Sequence, residues 1–379
     1  MQVLNLMKVE IKRECKVDQT ARVSQMSGLF DLPATNVSRE SWSVDIELPD
    51  KWNVGVIVGP SGSGKTTVLN EVFPVTKPFK WHKTRSIVDS FPAEMGIKEI
   101  VTLLSSVGFS SPPNWLRPYH VLSNGEQFRV TMARALAESR ECAVDEFTSV
   151  VDRTVAKIGS CAIAKTVRRR DQRFVCATCH YDVIDWLTPD WVYEPHTNRL
   201  DLPRGSLCRP KITLRIQRVH SSAWQLFQRH HYLSADLHKA SICFVAFMEG
   251  IAVAFIAWLP FVGKLGTIVK ARRIHRVVTL SDYQGVGIGR AIMDTTASAY
   301  RALGYRALIS TSNPAAMSSL RGWTMTSAPK GRGLDGRRHD KAVLSRRFIR
   351  TRSITRWTAS YEYGGKPMNR QDAHNLIYG

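Results

Sequence analysis

The sequence predicts an α/β fold in two domains, and three observations carry that expectation. Along the first two hundred residues short apolar runs alternate with helical periods, the pattern of a largely parallel sheet covered by helices. Two glycine-rich turns, Gly59–Lys65 and Gln284–Gly289, each sit between a strand-like run and a helix-like one. Between them, Pro189–Pro210 holds four prolines and no clear period, as a domain boundary does. The expected division is 1–205, 206–345 and a basic tail over 346–379.

Taken in order, Ser43–Leu48 alternates as a strand, and Val54–Val58 is a short apolar run expected to be a buried strand. Thr66–Val72 resumes as a helix after the first glycine turn. Residues 74–120 are mixed and partly helical, and Gln127–Ala137 is a helix rich in Ala and Arg. Cys142–Val144 and Phe174–Thr178 are short buried strands. In the second half, Ile212–Val219 alternates as a strand and Ser222–Tyr232 reads as a helix. Ile242–Met248 and Ile251–Leu259 are apolar runs joined at Glu249-Gly250, a hairpin signal. Ile274–Leu280 is a strand, Gly289–Leu303 a helix and Ala307–Thr311 a strand.

The 379 residues are 44% hydrophobic and 22% charged, which argues against wholesale disorder. No run reaches the roughly 18 apolar residues of a membrane helix; the most apolar stretch, Ile242–Val262, is broken by Glu249-Gly250 and Pro260. The N-terminus lacks the apolar core of a signal peptide, and seven scattered cysteines make no disulfide framework. A cytoplasmic protein with reduced thiols and no membrane partner is expected. Charge is uneven: residues 1–205 carry 26 basic and 24 acidic side chains, residues 206–379 carry 27 and 8. A field of that sign attracts polyanions.

Gly59-Pro60-Ser61-Gly62-Ser63-Gly64-Lys65-Thr66-Thr67 fits G-x-x-x-x-G-K-[ST] in the strand-to-helix context this pattern needs. Its glycines let backbone N–H groups converge on phosphate oxygens, and the helix N-terminus adds partial positive charge. Lys65 would reach the β and γ phosphates and Thr66 would ligate Mg2+. Farther on, Asp145 at a strand end can hold Mg2+ through water, Glu146 can polarise an attacking water, and His180 ends a further strand where it can meet the γ phosphate.

With Leu122-Ser123-Asn124-Gly125-Glu126-Gln127-Phe128-Arg129 ahead of the Ala- and Arg-rich helix, and Ser149–Asp152 after the Asp-Glu pair, residues 40–195 resemble the ABC-type ATPases. The resemblance implies ATP and Mg2+, Glu146 as hydrolytic base, Asp145 as the metal partner and His180 as the γ-phosphate sensor. It also implies a homodimer in which Ser123, Asn124, Gly125 and Glu126 of one chain close over ATP on the other, with Asp152 also among the ATP-binding residues. Three positions depart from the family pattern: Asn124 stands for a glycine, Phe147 for a proline, and Glu141 enters an apolar strand. Asp89 stands where the family has a glutamine, and Phe30 and Trp42 are the candidates to stack on adenine. Cys176-Ala177-Thr178-Cys179-His180 has the spacing of a haem attachment site, but it straddles a strand end and both cysteines read as structural.

Gln284-Gly285-Val286-Gly287-Ile288-Gly289 opens the second long helix and fits [Q/R]-x-x-G-x-[G/A]. Together with the order of strands and helices around it, residues 210–330 resemble the GNAT acyltransferases. The resemblance implies a mixed sheet with flanking helices and acetyl-CoA, or another acyl-CoA, touching Gln284 and Gly285 and with its pyrophosphate on the backbone of Val286, Gly287, Ile288, Gly289 and Arg290. Val278, Thr279 and Leu280 would pair with the pantetheine, and the acyl group would lie toward Ala307–Thr311. Arg273 stands where several members carry a glutamate base, with His275 next on the same face. His231 and Tyr232 are the candidates for base and thiolate-protonating acid, and Asn313 for polarising the thioester.

The chain as a whole resembles ABC-type ATPases fused to an acetyltransferase domain. The leading expectation is an ATP-hydrolysing, acetyl-CoA-dependent N-acyltransferase acting on nucleic acid (DNA or tRNA), with Trp323, Trp357, Tyr361 and Tyr363 stacking bases. The alternatives are an ATP-regulated protein or small-molecule N-acetyltransferase, and a nucleotide-switched nucleic-acid clamp whose GNAT fold is not catalytic.

Overall fold

The computed structural model describes residues 4–30, 37–203, 212–231, 236–262, 268–313, 316–317, 320–331 and 357–379. The chain divides into two compact units that do not follow chain order. The first comprises Met1–Phe79, Glu138–Val150 and Val167–Arg209; the second comprises Lys80–Ala137, Val151–Thr166 and Pro210–Gly379.

In the first unit, strands β1 (Leu4–Lys16) and β2 (Val37–Pro49) form an antiparallel ribbon, and helix α1 (Ala21–Phe30) links them. Inward-facing Ile11, Val44, Ile46 and Leu48 pack with Ile57, Val68 and Leu69 in one core. The main sheet runs β4 (Glu141–Val144), β5 (Arg173–Thr178), β3 (Val54–Val58), β6 (Trp191–Glu194), β7 (Arg199–Asp201). All neighbours are parallel except β6 and β7. β3 is buried at every position, which is why it reads as a continuous apolar run rather than an alternating one. The parallel arrangement brings the C-terminal ends of β3, β4 and β5 to one edge. β6 and β7 lie within the aperiodic stretch that the sequence marked as boundary.

The second unit holds helices α3 (Ile97–Ser106), α4 (Pro112–Trp115), α5 (Asn124–Glu138) and most of α6 (Arg153–Arg170); α2 (Lys65–Val72) and α7 (Asp182–Leu187) belong to the first. Its mixed sheet has seven strands in the order β13 (Trp323–Gly331), β14 (Trp357–Tyr363), β12 (Arg306–Thr311), β11 (Ile268–Thr279), β10 (Ile251–Val262), β9 (Ile242–Met248), β8 (Arg215–Val219). β9 and β10 form the expected hairpin, with Glu249 and Gly250 both at positive φ (52° and 83°). Helix α8 (Ile288–Ala302) covers one face of the sheet and α9 (Arg370–Tyr378) packs on it.

Three expectations are corrected here. Ser222–Tyr232 is not an α-helix: Ser221–Leu226 and Gln228–His230 are two 3-10 turns. Trp224 and Phe227 are buried three apart, both against Phe255, and a three-residue repeat stacks them on one side. Residues 357–379 are not a tail, because β14 lies between β12 and β13 and α9 closes the core. For the same reason Trp323 and Tyr361 are not base-stacking platforms. Both are buried, and the Trp323 indole donates to Asp294 (2.8 Å) while packing edge-on to Tyr363. The side chain of Trp357 lies outside the described residues. Among the described residues no helix is long and apolar enough to cross a membrane.

Candidate functional sites

β3 runs straight into the first glycine turn. Gly62 and Gly64 have φ of 78° and 84°, and Gly64 caps α2 in the left-handed conformation that only glycine adopts cheaply. Lys65 Nζ donates to the carbonyl of Pro60 (2.7 Å), and Ser63 N–H donates to the same oxygen. The Ser63 hydroxyl is buried without a partner. A cation folded back on its own loop and an orphaned hydroxyl are the donors a phosphate would engage, so the turn fits a nucleotide. The indole of Trp42, on β2, lies 3.4 Å from where a Cβ on Gly64 would stand. Of the two adenine-stacking candidates it is the one against the turn; Phe30 is exposed at the end of α1. The histidine His196, which no motif singled out, lies 3.3 Å from the equivalent point on Gly59.

Asp145 follows β4, and its carboxylate accepts the N–H of Glu146 (2.8 Å). Glu146 and Thr148 sit at φ of 49° and 69°, a tight turn in which Ser149 donates through both N–H and hydroxyl to the Glu146 carbonyl. Such left-handed non-glycine pairs store strain and cluster at functional turns. The turn leaves the Glu146 side chain exposed. It also explains Phe147: its N–H donates to Ala177 O (2.9 Å), a bond proline cannot make, and its ring is buried edge-on to Phe174. Glu141 pairs across the strands with Arg173 (3.7 Å). His180 lies two residues after β5, its N–H held by the Thr178 hydroxyl (3.1 Å). Thr66 and Asp145 offer hard oxygens suited to Mg2+, too few for a complete cage without phosphate oxygens. Burial pushes the Cys176 thiol well up, and among the described residues no cluster of three or more His, Cys, Asp or Glu could hold a metal ion.

In the second unit, Ser123 and Glu126 bond each other reciprocally at the start of α5: Ser123 N–H and hydroxyl reach the Glu126 carboxylate (3.0 and 3.1 Å), and Asn114 donates to its other oxygen. This capping box leaves Ser123 and Asn124 exposed. Asp152 accepts from Thr154 and Val155 N–H at the start of α6. Asp89 is exposed and bonded to the Ser86 hydroxyl.

The second glycine turn has two halves. Gly287, at φ 98°, caps α8, is exposed, and would meet no atom within 4 Å of an added Cβ. That open backbone at the head of a 15-residue helix fits a pyrophosphate. Gln284 and Gly285, expected to touch acyl-CoA, face protein instead. Gln284 accepts from Ser110 N–H (2.8 Å) and donates to Thr279 O (2.9 Å), while a Cβ on Gly285 would lie 2.8 Å from Gly108 Cα and 2.9 Å from Ala162 Cβ. The Arg290 guanidinium is held by Asp294 and Arg321 O, so its backbone, not its charge, faces the turn. Arg129, the last residue of the signature segment and given no role there, is fully buried and donates to Ser281 O, Asp282 O and Gly108 O.

β11 pairs with β12 only over Ala271–Arg273 and then leaves it, opening a gap beside Ile274–Thr279. Val278 is buried toward Trp224 and Phe227, and Leu280 N–H is taken by Val253 O. Against β10, Arg276 faces Ala257 and Ile274 faces Trp258, so His275 has no counterpart. This bulge puts His275 and Arg276 on the same face. His275 Nε2 is buried without a partner. Burial, then Arg276, His238, Arg273 and His231, push the His275 imidazole down to about 4. Burial and Arg276 push His231 down to about 4, and its ring lies edge-on to Trp224. Tyr232 lies outside the described residues. Asn313 is held in a turn, its N–H on the Thr311 hydroxyl and its carbonyl on Met317 N–H.

Residues 211–321 match the family model of the acetyltransferase (GNAT) family. No match is found among curated proteins. Among solved structures, the chain is similar to the ATP-binding cassette MJ0796 in a dimeric post-hydrolysis state bound to ADP and Pi, at 14% identity and TM-score 0.39 over 53% of this chain and all of that one. It is similar to cbiO1 from Clostridium perfringens, part of the ABC transporter complex cbiONQ, at 19% identity and TM-score 0.32 over 41% of this chain and 79% of that one. A bacterial Atm1-family ABC exporter with ATP bound matches at 17% identity and TM-score 0.34 over 42% and 34%.

Proposed function

We propose that this protein is an ATP-hydrolysing acyltransferase that moves an acyl group from acyl-CoA to an amine on nucleic acid. The observation that carries the acceptor class is the face of β11 on which Arg273, His275 and Arg276 gather with His231 and His238. It combines permanent cations, suited to phosphates, with His231 and His275, whose imidazoles burial keeps neutral at pH 7. The excess of 27 basic over 8 acidic side chains in residues 206–379 extends the same field. Exposed Gly287 and the gap between β11 and β12 supply room for acyl-CoA on the same sheet. In the transfer the amine nitrogen bonds the thioester carbonyl carbon and the C–S bond breaks. His231 or His275 takes the amine proton and passes it to the departing sulfur, so that CoA leaves as the free thiol.

In the first unit Gly59–Lys65 would hold ATP phosphates, with Trp42 beside the turn, and Thr66 and Asp145 would hold Mg2+. The bound ion supplies charge neutralisation at the phosphates. Glu146, exposed on its strained turn, would orient the attacking water, and His180 would sense the γ phosphate. Two chains would pair head to tail, Ser123–Glu126 of one over the nucleotide of the other.

The test supplies labelled acetyl-CoA with DNA, tRNA, protein or small amines, with and without ATP, and digests the nucleic acid for mass spectrometry. An acylated nucleoside that requires ATP is expected. Label found only on protein or small amines would overturn the acceptor class.

A further inference from the structure

We infer that Arg129 ties the acyl-CoA turn to the ATPase signature, so that nucleotide at Ser123–Glu126 and acyl-CoA at Val286–Arg290 bind with linked affinities. The inference rests on the function proposed above. Its ground is a set of contacts inside the second unit that neither glycine-turn motif calls for.

α5 begins with the exposed signature residues Ser123 and Asn124, and one turn later carries Arg129, wholly buried. Burial draws its pKa down, while Asp282, Glu126 and Asp152 oppose that shift. Its guanidinium ends on three main-chain carbonyls. Gly108 O lies before Ser110, and Ser281 O and Asp282 O lie in the turn that leads directly into Gln284. A buried guanidinium is costly unless its donors are met, so these carbonyls cannot drift from α5 without exposing that cost.

Two further ties act on the same few residues. Gln284 bridges Ser110 N–H and Thr279 O, joining the helical lobe to the last residue of β11. Gly108 and Gly285 meet backbone to backbone, closely enough that a Cβ on either would overlap the other's segment. Ala162 of α6 closes the third side. From this anchored stretch the chain passes in two residues to exposed Gly287 and the head of α8. Packed contacts of this kind move as a body rather than deform. A displacement of α5 on closing over nucleotide therefore carries Ser281–Gly285, and with it the backbone that receives the pyrophosphate. Arg129 is thus a positioning residue, and the linkage must be reciprocal: each ligand changes the other's affinity by the same factor.

The experiment measures acetyl-CoA binding by calorimetry on the full-length protein, alone and with a saturating non-hydrolysable ATP analogue, and then the analogue with and without acetyl-CoA. The expected result is a change of about fivefold or more in the acetyl-CoA Kd, mirrored in the analogue Kd. Both ligands binding with affinities indifferent to one another would overturn the linkage while leaving the proposed function standing. No acetyl-CoA binding under any condition would overturn the proposed function and the linkage with it. Arg129→Lys keeps the charge but loses the fork that spans several carbonyls. It is expected to bind each ligand alone and to show no linkage; full linkage in this variant would overturn the role of Arg129. If the variant does not fold, the wild-type reciprocity measurement alone decides.

Discussion

The two glycine turns look alike in conformation and are held in opposite ways. Each places a left-handed glycine at the head of a helix, Gly64 for α2 and Gly287 for α8. The first is braced from within: Lys65 bonds a carbonyl five residues back, and Ser63 N–H shares that carbonyl. The second is braced from outside: its first half is clamped by Arg129, Ser110 and Gly108, which lie 152–177 residues away in sequence. A self-braced turn needs only its own residues to keep its shape. An externally braced one takes its shape from a neighbour and can be moved by it.

Four measurements break or sharpen this contrast. The largest effect is expected from Glu146→Gln, which removes the water-orienting carboxylate and lowers ATP turnover about 10²–10⁴-fold. ATP binding should survive and trap a dimer in gel filtration. A variant that stays monomeric at saturating ATP would break the head-to-tail pairing. Next, Gly287→Glu puts bulk and negative charge where the backbone is open. Acetyl-CoA affinity should fall about 100-fold, since like charges brought together cost several kcal/mol. ATPase activity should be unchanged; unaltered acetyl-CoA binding by calorimetry would remove the pyrophosphate assignment.

Two residues earlier the cost shifts from binding to stability. Gly285→Ala adds a Cβ at φ 89° against Gly108 and Ala162 and should destabilise the second unit by about 2 kcal/mol in denaturant titrations. Equal stability to wild type would show that the clamp is loose. The last effect is set by pH. His231 and His275 have folded pKa values of about 4, below the ordinary histidine value of about 6.5. Between those values the unfolded chain binds more protons than the folded one. Their contribution is therefore full above about pH 6.5 and is lost as pH falls toward 4. Hydrogen exchange in Ser221–His231 should accelerate over that window, and His275→Gln should flatten the trend.

What the sequence disclosed follows the same division. The first glycine turn and the short strands that lead to the Asp-Glu pair and to His180 were legible because each is written in contiguous residues. The hairpin at Glu249-Gly250 was legible for the same reason. Arg129 was not, because its partners are backbone carbonyls, which every residue carries, so they leave no mark on the residues opposite. The bulge at His275 escaped too: a one-residue insertion in a strand changes which face a side chain takes without changing its composition. β14 was missed because Trp357–Tyr363 follows a long basic stretch, and its place between β12 and β13 is fixed by pairing with partners far up the chain.

The interleaving of the two units also sets a timetable on the ribosome. At about 5–20 residues per second, the helical lobe with Ser110 leaves the synthesis machinery roughly 10–35 s before Gln284, its partner 174 residues on. During that interval Arg129 has no carbonyls of Ser281 and Asp282 to satisfy it, and Ile158 has no Tyr283 or Ile288 to pack against. The nascent chain thus carries an unfinished, sticky lobe that chaperones would have to shield until the last third of the protein arrives. A chain cut between the two glycine turns would leave that lobe without these partners.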